Sequence, residues 1–333
     1  MFTKYLIIFL FNTTLVGFLN GRVFNNNSEN QIVDLFDKNK NALVSVWKDR
    51  EKPDLKNLST GFFIDNYGHV ITSNVNFGKP GNFIIIFNKK YFGCKRIGFD
   101  RVTGLCLLKV LKLPEKFTFI KIFPETKIPK TGSFILAITQ KLGLPPSLRV
   151  STVMGNMPDS FPFFRMELKL IIGERGSPVF DLHGSFVGFI SKPISVIEES
   201  LILPSFAVDR IIRDLKVYGK VNYGWIGLNV SSKYDGKIYV KSILPDSPLT
   251  GKDFKENDII LNIGNYEIKS YRDYRMALFY ARPDTKLKVV LERKLEKKSF
   301  LINIKLKPNL LETQQNSIKI NKPKSYEKSS AKN

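Results

Sequence analysis

The chain has 333 residues, of which 43% are hydrophobic and 25% are charged. This ordinary globular mixture excludes a disordered chain, collagen and a coiled coil, and the length suits about two domains. Lysine and arginine total 52 against 30 acidic residues, so the net charge is +22 and the surface favours anionic partners. His69 and His183 are the only histidines, and two cysteines are too few for a thiolate-based structural zinc site.

The first 21 residues have the composition of an export signal. Lys4 precedes an apolar run at residues 5–11, and a second run covers residues 15–19. A cation followed by a short apolar run is typical of a secretory signal, and the run is shorter than the ~20 apolar residues of a membrane span. Because Leu19-Asn20-Gly21 is a poor cleavage site, both a signal peptide and an uncleaved signal anchor stay open for residues 1–21.

Short β-rich runs separated by Gly, Pro, Asn and Asp fill residues 42–200, after a helical segment at 32–39. Many short strands without long helices are typical of all-β barrels or sandwiches. Residues 206–218 read as an amphipathic helix that stops at Gly219. A second compact unit has a helix near 270–281 and strands near 226–230, 237–243, 258–263, 286–292 and 299–306. The basic tail, 308–333, is predicted to be disordered.

Four groups of motifs follow one another along residues 61–227. They are Gly61-Phe-Phe-Ile-Asp-Asn-Tyr-Gly-His-Val-Ile-Thr72; Gly98-Phe-Asp100 with Leu105-Cys-Leu-Leu-Lys109; Gly173-Glu-Arg-Gly-Ser-Pro-Val179 with Gly184 and Val187-Gly-Phe-Ile190; and Leu203-Pro-Ser-Phe-Ala-Val208 with Gly219-Lys-Val-Asn-Tyr-Gly-Trp-Ile-Gly227. Together they resemble the HtrA/DegP family over about residues 40–307. The resemblance implies a mainly β fold, with a trypsin-like double six-stranded β-barrel, a linker helix and a C-terminal PDZ domain. The predicted domains are 32–200 for the trypsin-like (pseudo)protease, 201–220 for the linker helix and 221–307 for the PDZ domain.

The chain departs from the family at all three positions of the catalytic triad. Val75 stands where the family has its histidine, Gly104 where it has its aspartate and Arg175 where it has its nucleophilic serine. Serine activation needs a general base within hydrogen-bond reach. The sequence gives no reason to place His69 or His183 beside a serine. We therefore predict that no residue is catalytic.

Arg175 lies in what resembles the oxyanion loop, in which Gly173 and Gly176 are kept. Two interpretations of this loop stay open. The backbone N–H groups and the Arg175 cation could bind a carboxylate or a peptide end. Alternatively, Arg175 folds back onto an acidic neighbour and closes the cleft; the candidate neighbours are Glu174, Glu167 and Asp100.

Cys94 and Cys106 lie symmetrically about Asp100, the apparent centre of a hairpin. In an exported protein this spacing makes them a disulfide candidate, and the alternative is two buried small hydrophobic residues. We expect no metal and no cofactor.

The second unit contains segments that resemble a PDZ carboxylate loop and its following strand. A PDZ domain adds an extended peptide to a sheet edge, while loop N–H groups take the terminal carboxylate. The alternative is a groove filled by the protein's own segments. The predicted peptide-binding residues are Trp225, Ile226, Gly227, Leu228, Val230, Met276 and Tyr280.

Three functions stay open. The first is a catalytically inactive HtrA-like envelope protein that binds polypeptides through its PDZ domain, as chaperone, adaptor or regulatory subunit of an active relative. The second is an active serine endopeptidase with displaced catalytic residues, for which Ser177 is the candidate nucleophile. The third is a basic protein that binds anionic lipid or glycan at a membrane surface. Nucleic acid is not expected because no stacking platform is found. The resemblance implies a homo-oligomer, a trimer, and a periplasmic or inner-membrane-anchored location.

Overall fold

The computed structural model describes residues 26–49, 54–124, 127–141, 144–156, 161–194 and 197–306. The predicted export signal (1–21) and basic tail (308–333) lie outside these residues. Helix α1, Asn26–Lys40, precedes the sheets and packs its apolar residues Ile32, Leu35 and Phe36 on the main core. Within the described part of the chain, no helix is both long and apolar enough to cross a bilayer.

Two closed six-stranded barrels follow α1, and they confirm the predicted double β-barrel. The first barrel has the order β1-β2-β3-β6-β5-β4 and the second β10-β11-β12-β9-β8-β7. The strands of the first barrel are β1 (Leu43–Lys48), β2 (Leu58–Phe63), β3 (His69–Ser73), β4 (Phe83–Phe87), β5 (Lys90–Phe99) and β6 (Leu105–Val110). Those of the second are β7 (Phe134–Thr139), β8 (Ser147–Asn156), β9 (Phe164–Met166), β10 (Pro178–Asp181), β11 (Phe186–Ile194) and β12 (Glu199–Pro204).

Helix α2, Ser205–Tyr218, connects the barrels to the rest of the chain. It begins directly after β12 and ends at Gly219, which has a φ of 67° and donates its N–H to the Leu215 carbonyl at 3.0 Å. Asp209 and Arg213 form an i,i+4 ion pair along this helix. The buried face of α2 packs Phe206, Ile211 and Leu215, with others, into the core that it shares with the barrels.

The last unit is a second sheet with its own core. The sheet order is β14-β15-β16-β18-β19, with β17 beside β16 and a separate β13–β20 pair. The elements are β13 (Gly224–Trp225), β14 (Leu228–Ser232), β15 (Ile238–Ile243), β16 (Ile259–Ile263), β17 (Tyr266–Glu267), α3 (Tyr271–Tyr280), β18 (Lys286–Arg293), β19 (Glu296–Asn303) and β20 (Lys305–Leu306). This unit is the predicted PDZ fold.

An interdomain seam joins this unit to the barrels. It consists of Arg210 and Asp214 from α2, Tyr223 after it, and Phe279 and Arg282 from the second unit. Arg210 and Asp214 are each 1% exposed and form an ion pair at 3.3 Å, and Arg282 also pairs with Asp214. The Tyr223 hydroxyl donates a hydrogen bond to the Asp100 carboxylate at 2.9 Å, which ties the seam to the first barrel.

Candidate functional site

The loop that carries Arg175 is held in a fixed backbone position between the barrels. Gly173 and Gly176 have φ angles of 95° and 85°, a region that favours glycine. The Thr60 hydroxyl donates to the Gly173 carbonyl at 2.7 Å, and the Thr60 N–H donates to the Arg175 carbonyl at 2.8 Å. A Cβ on Gly176 would lie 2.1 Å from the Thr60 carbonyl oxygen, so only glycine fits against β2.

The backbone at the other two triad positions adjoins this loop. The Asn74 N–H donates to the Gly104 carbonyl at 3.3 Å, so Gly104 lies beside the residue that precedes Val75. The Ser73 hydroxyl donates to the Ser191 carbonyl of β11 at 2.9 Å. Gly104 has a φ of 77°, and a Cβ there would lie 3.2 Å from the Ser73 hydroxyl oxygen. An aspartate at 104 would therefore be strained as well as crowded.

Arg175 is a half-buried cation without a partner. Its side chain makes no hydrogen bond or ion pair within the described residues, and burial alone lowers the pKa of its guanidinium. The predicted partner Glu174 is fully buried and pairs with Arg149 at 2.8 Å, and it also accepts the Ile171 N–H at 2.8 Å. The interpretation in which Arg175 folds back onto Glu174 is therefore wrong.

The other two acidic neighbours are also engaged elsewhere. Asp100 accepts from the Thr103 N–H at 3.1 Å and from the Tyr223 hydroxyl, and burial raises the pKa of its carboxyl. Glu167 accepts from the Thr152 hydroxyl at 3.4 Å. Neither pairs with Arg175, so the cation is not neutralised by either one.

The structure corrects one detail of the oxyanion-loop prediction. The Gly176 N–H donates to the Ile190 carbonyl at 2.8 Å, so it cannot also face an anion in the cleft. Ser177, the candidate displaced nucleophile, is completely buried, and its hydroxyl has no hydrogen-bond partner in the described structure. A buried hydroxyl without a base has neither access to a substrate nor a way to lose its proton.

Both histidines have other surroundings. The His69 Nδ1 lies 2.7 Å from the Asp65 carboxylate, which also accepts from Lys216 at 3.0 Å. Burial lowers the pKa of His69, and the neighbouring Asp65 carboxylate opposes this shift. His183 is exposed in the turn between β10 and β11. Neither forms a hydrogen bond with Ser177; His183 is a turn residue, whereas His69 is the first residue of β3 and is partly buried.

Of the two interpretations of Cys94 and Cys106, the disulfide candidate is wrong, because the register of β5 and β6 separates the two cysteines. Cys94 lies opposite Val110, and Cys106 lies opposite Phe99. Both thiols are free, and burial raises the pKa of Cys94 to about 12. The two side chains fill apolar space in the first barrel. Within the described residues, no group of three His, Cys, Asp or Glu side chains could hold a metal ion.

The candidate carboxylate loop in the second unit has a backbone that only glycine allows. Gly227 has a φ of 67°, and a Cβ there would lie 2.5 Å from the Cβ of Ser247. The Ser247 hydroxyl donates to the Ile226 carbonyl at 2.8 Å and accepts the Leu249 N–H at 3.0 Å. Ser247 therefore fixes the loop through its hydrogen bond to the Ile226 carbonyl, and the Ile226 side chain is buried in the core of this unit.

Among the residues that the structure describes, β14 pairs only with β15, so its other edge, beside α3, is free. Leu228 lies opposite Ile243, and the Leu244 N–H donates to the Gly227 carbonyl. This pattern makes Leu228 and Ile243 a non-hydrogen-bonded pair, so the N–H and C=O of Leu228 point away from β15. The Tyr274 hydroxyl of α3, a residue that sequence reasoning missed, donates to the Leu228 carbonyl at 3.4 Å. Val230, on the same strand, is half-buried against this core.

The prediction that Met276 and Tyr280 line the peptide pocket is wrong. Both pack against the core shared by the barrels and α2, on the opposite side of α3 from the second unit's core. Tyr274 and Ala277 instead belong to the second unit's core. Trp225 lines a cavity of about 110 Å³ at the interdomain seam, together with Phe161 and Arg275 among others.

Two family models match this chain, one in the barrels and one in the second unit. Residues 59–189 match the model of the trypsin-like peptidase domain, and residues 224–304 match that of the PDZ domain. A probable periplasmic serine endoprotease DegP-like from Marinomonas is 25% identical over 274 residues, covering 76% of this chain and 58% of the relative. A Chlamydia pneumoniae protein of the same name is 24% identical over 282 residues, covering 77% and 57%. The chain therefore spans a little over half the length of these relatives.

Solved structures share the fold. The HtrA-type protease AlgW with a tripeptide has a TM-score of 0.71 at 17% identity, covering 84% of this chain and 98% of AlgW. The serine endoprotease from Yersinia pestis has a TM-score of 0.64 at 20% identity, covering 83% and 98%. The fold and the two matched domains define a trypsin-like peptidase fold joined to a PDZ domain. The chain is a homologue of the DegP/HtrA proteins.

Proposed function

We propose that this chain is a catalytically inactive HtrA-like protein that binds polypeptides through its PDZ domain, as chaperone, adaptor or regulatory subunit. The observation that carries the proposal is Arg175 at the position of the nucleophilic serine. A guanidinium stays protonated and cannot attack a carbonyl. Val75 supplies no base, and Gly104 supplies no carboxylate to orient one.

The alternative is an active serine endopeptidase, and it is favoured by the names of the relatives, which are serine endoproteases. This activity would need Ser177 as nucleophile and a base that reaches it. The burial of Ser177 and the positions of both histidines speak against this use.

A protease assay separates the two functions. The purified chain should not hydrolyse unfolded casein, and Ser177→Ala should leave this result unchanged. The single variant Arg175→Ser should also be inactive, because triad members act as a unit. Turnover that serine-directed inhibitors abolish, and that Ser177→Ala removes, would establish the endopeptidase instead.

The peptide-binding half of the proposal rests on the free edge of β14 and on the loop of Ile226, Gly227 and Leu228. We expect peptides with a free carboxylate and an apolar last residue to bind with roughly micromolar affinity, about −8 kcal/mol. Fluorescence anisotropy with a free-acid peptide and its amidated twin tests this use. Equal affinity for the two peptides would remove the PDZ mode of binding.

The proposed location is based on the relatives, which are named periplasmic. We propose export to the same compartment and a homo-oligomer, a trimer by resemblance, with an active HtrA relative as a further partner. The basic-protein alternative rests on the net charge of +22. Binding to anionic vesicles that is lost steeply with added salt would favour that alternative.

A further inference from the structure

The loop between the barrels carries the half-buried cation Arg175, which has no ion pair or hydrogen bond within the described residues. We propose that this loop is a carboxylate-binding site for acidic peptide segments, with Arg175 as its anchor. This site is separate from the PDZ groove, so it can exist whether or not the groove binds peptide. The anchor replaces the nucleophile, so the ligand is held and not cleaved.

The backbone position of the anchor is fixed before any ligand arrives. Two hydrogen bonds from Thr60 hold the carbonyls of Gly173 and Arg175, and Gly176 fits against the Thr60 carbonyl without room for a side chain. A ligand therefore does not bear the entropy cost of ordering this loop. A guanidinium on a fixed backbone can bind a carboxylate through two parallel hydrogen bonds.

The acidic residues of this barrel that could have paired with Arg175 pair with other cations instead. Glu174 is satisfied by Arg149. Glu199 is paired with Arg165 at 3.1 Å, and Glu198 with Lys169. A half-buried guanidinium has lost part of its hydration without gaining a partner, so an incoming carboxylate meets a cation that is partly desolvated beforehand.

Lys192 adds a second cation of the same kind. The hydrogen bond from the Gly176 N–H to the Ile190 carbonyl brings the loop alongside β11, and Lys192 lies two residues after Ile190. Its ammonium lies 5.2 Å from the ring centroid of Phe163, it makes no hydrogen bond or ion pair in the described structure, and burial lowers its pKa. A second cation without an ion-pair partner, on the strand that adjoins the loop, favours an anionic ligand over a neutral one.

The apolar surface beside the anchor indicates the rest of the ligand. Ile171 and Ile172, directly before Gly173, are 45% and 47% exposed. Apolar side chains next to a ligand carboxylate can cover them and contribute about 25 cal/mol for each Å² of apolar area buried. The expected ligand is therefore a peptide segment in which a carboxylate is flanked by apolar residues.

The test is a titration of the full chain with three six-residue acetylated peptides of alanine and leucine. The first carries one central glutamate and an amidated end, the second has glutamine in its place, and the third has glutamine and a free carboxylate end. Calorimetry is done with the wild type, Arg175→Gln, Arg175→Lys and Lys169→Gln. Lys169 is the matched control because it is an exposed cation paired with Glu198, so both glutamine variants lose one positive charge.

We expect the glutamate peptide to bind the wild type and Lys169→Gln alike and Arg175→Gln about ten-fold more weakly, as for the loss of a charge-assisted hydrogen bond. Arg175→Lys should fall between them, since it keeps the charge without the planar fork. If Arg175→Gln weakens binding of the glutamate peptide, the site is assigned to acidic side chains. If it weakens binding of the free-acid peptide only, the site is assigned to chain ends. Equal binding of all three peptides to the wild type, or equal losses in Arg175→Gln and Lys169→Gln, would overturn the proposal.

Discussion

The guanidinium carbon of Arg210 lies 4.5 Å from the ring centroid of Phe279, and this contact joins α2 to α3 across the interdomain seam. A cation over an aromatic face in a dry setting contributes about 2 kcal/mol. Arg210 also lies 5.3 Å from the Tyr223 ring centroid and donates to the Asn222 carbonyl at 3.2 Å. The helix beside the predicted peptide groove is thus held by the barrels on its other side.

Removal of the Phe279 ring should destabilise the whole chain. Phe279 is 5% exposed and contacts the rings of Phe161, Phe206 and Tyr223 at centroid distances of 5.7, 6.3 and 6.1 Å. Phe279→Ala should lower the free energy of unfolding by about 3–5 kcal/mol, measured by urea denaturation. The fully exposed Tyr234 provides the control, and Tyr234→Ala should change this free energy by less than about 0.5 kcal/mol. Similar effects of the two variants would show that the seam is not a packed interface.

Removal of the Tyr274 hydroxyl should strengthen peptide binding at the PDZ groove. The hydroxyl donates a hydrogen bond to the Leu228 carbonyl. A peptide strand added to β14 would need the same carbonyl as an acceptor for its own backbone N–H. Tyr274→Phe keeps the ring and frees the carbonyl, so the affinity for a free-acid peptide should rise up to about ten-fold, the worth of one hydrogen bond. Anisotropy titration of both proteins provides the measurement. Weaker binding by Tyr274→Phe would mean that the hydroxyl contacts the peptide itself.

Gly227→Ala should abolish peptide binding through steric contact as well as backbone strain. Gly251 is the matched control, because its φ of 80° is similar and a Cβ there would meet nothing within 4 Å. Gly251→Ala should cost about 1–2 kcal/mol of stability and leave the affinity unchanged. Gly227→Ala should cost more and lose the free-acid peptide, because the loop must shift away from Ser247. The comparison needs urea denaturation and anisotropy on both variants, and intact binding by Gly227→Ala would exclude this loop from the site.

Asp100 should make stability fall as the pH rises. Burial raises the pKa of its carboxyl above the value of 3.8 expected for the unfolded chain, and hydrogen bonds from Thr103 and Tyr223 oppose this shift only in part. The protonated form is therefore favoured in the fold. Its contribution is complete below about pH 3.8 and is lost as the pH rises through the higher folded value.

Asp100→Asn provides the measurement for this effect, because asparagine does not titrate. The free energy of unfolding is measured for both proteins from pH 3 to pH 8. The difference between the two, wild type minus variant, should decrease as the pH rises. A difference that increases instead would show that the hydrogen bonds dominate and that the folded pKa is lowered.

The strands with strong apolar runs were predictable from the sequence, and those without were not. The nearly continuous apolar runs Phe83–Phe87 and Leu105–Val110 predict strands by themselves, and the structure has strands with these limits. β5 and β8 were missed because exposed and half-buried residues alternate irregularly along them. The disulfide candidate assumed a hairpin centred on Asp100, whereas the pairing of Phe99 with Cys106 centres this hairpin between Val102 and Thr103.

In the predicted peptide groove the loop was easier to predict than the helix. Gly227 stands out because a particular backbone conformation requires glycine there. α3 is buried on two sides, so its apolar pattern does not tell which residues face the groove and which face the barrels. Met276 and Tyr280 were assigned to the wrong side for this reason, and the role of the Tyr274 hydroxyl depends on a contact 46 residues away in the chain.

The conformation of Gly104 bears on how this lineage could evolve. A return of aspartate to position 104 would cost on the order of 1–3 kcal/mol in backbone strain, and it would bring no gain while Val75 and Arg175 persist. Under the proposed function, proteolysis would require changes at all three positions, and the intermediate with aspartate at 104 would be strained without gaining activity. The positive φ at one glycine therefore acts against reversion, and it leaves the cleft free to be selected for binding alone.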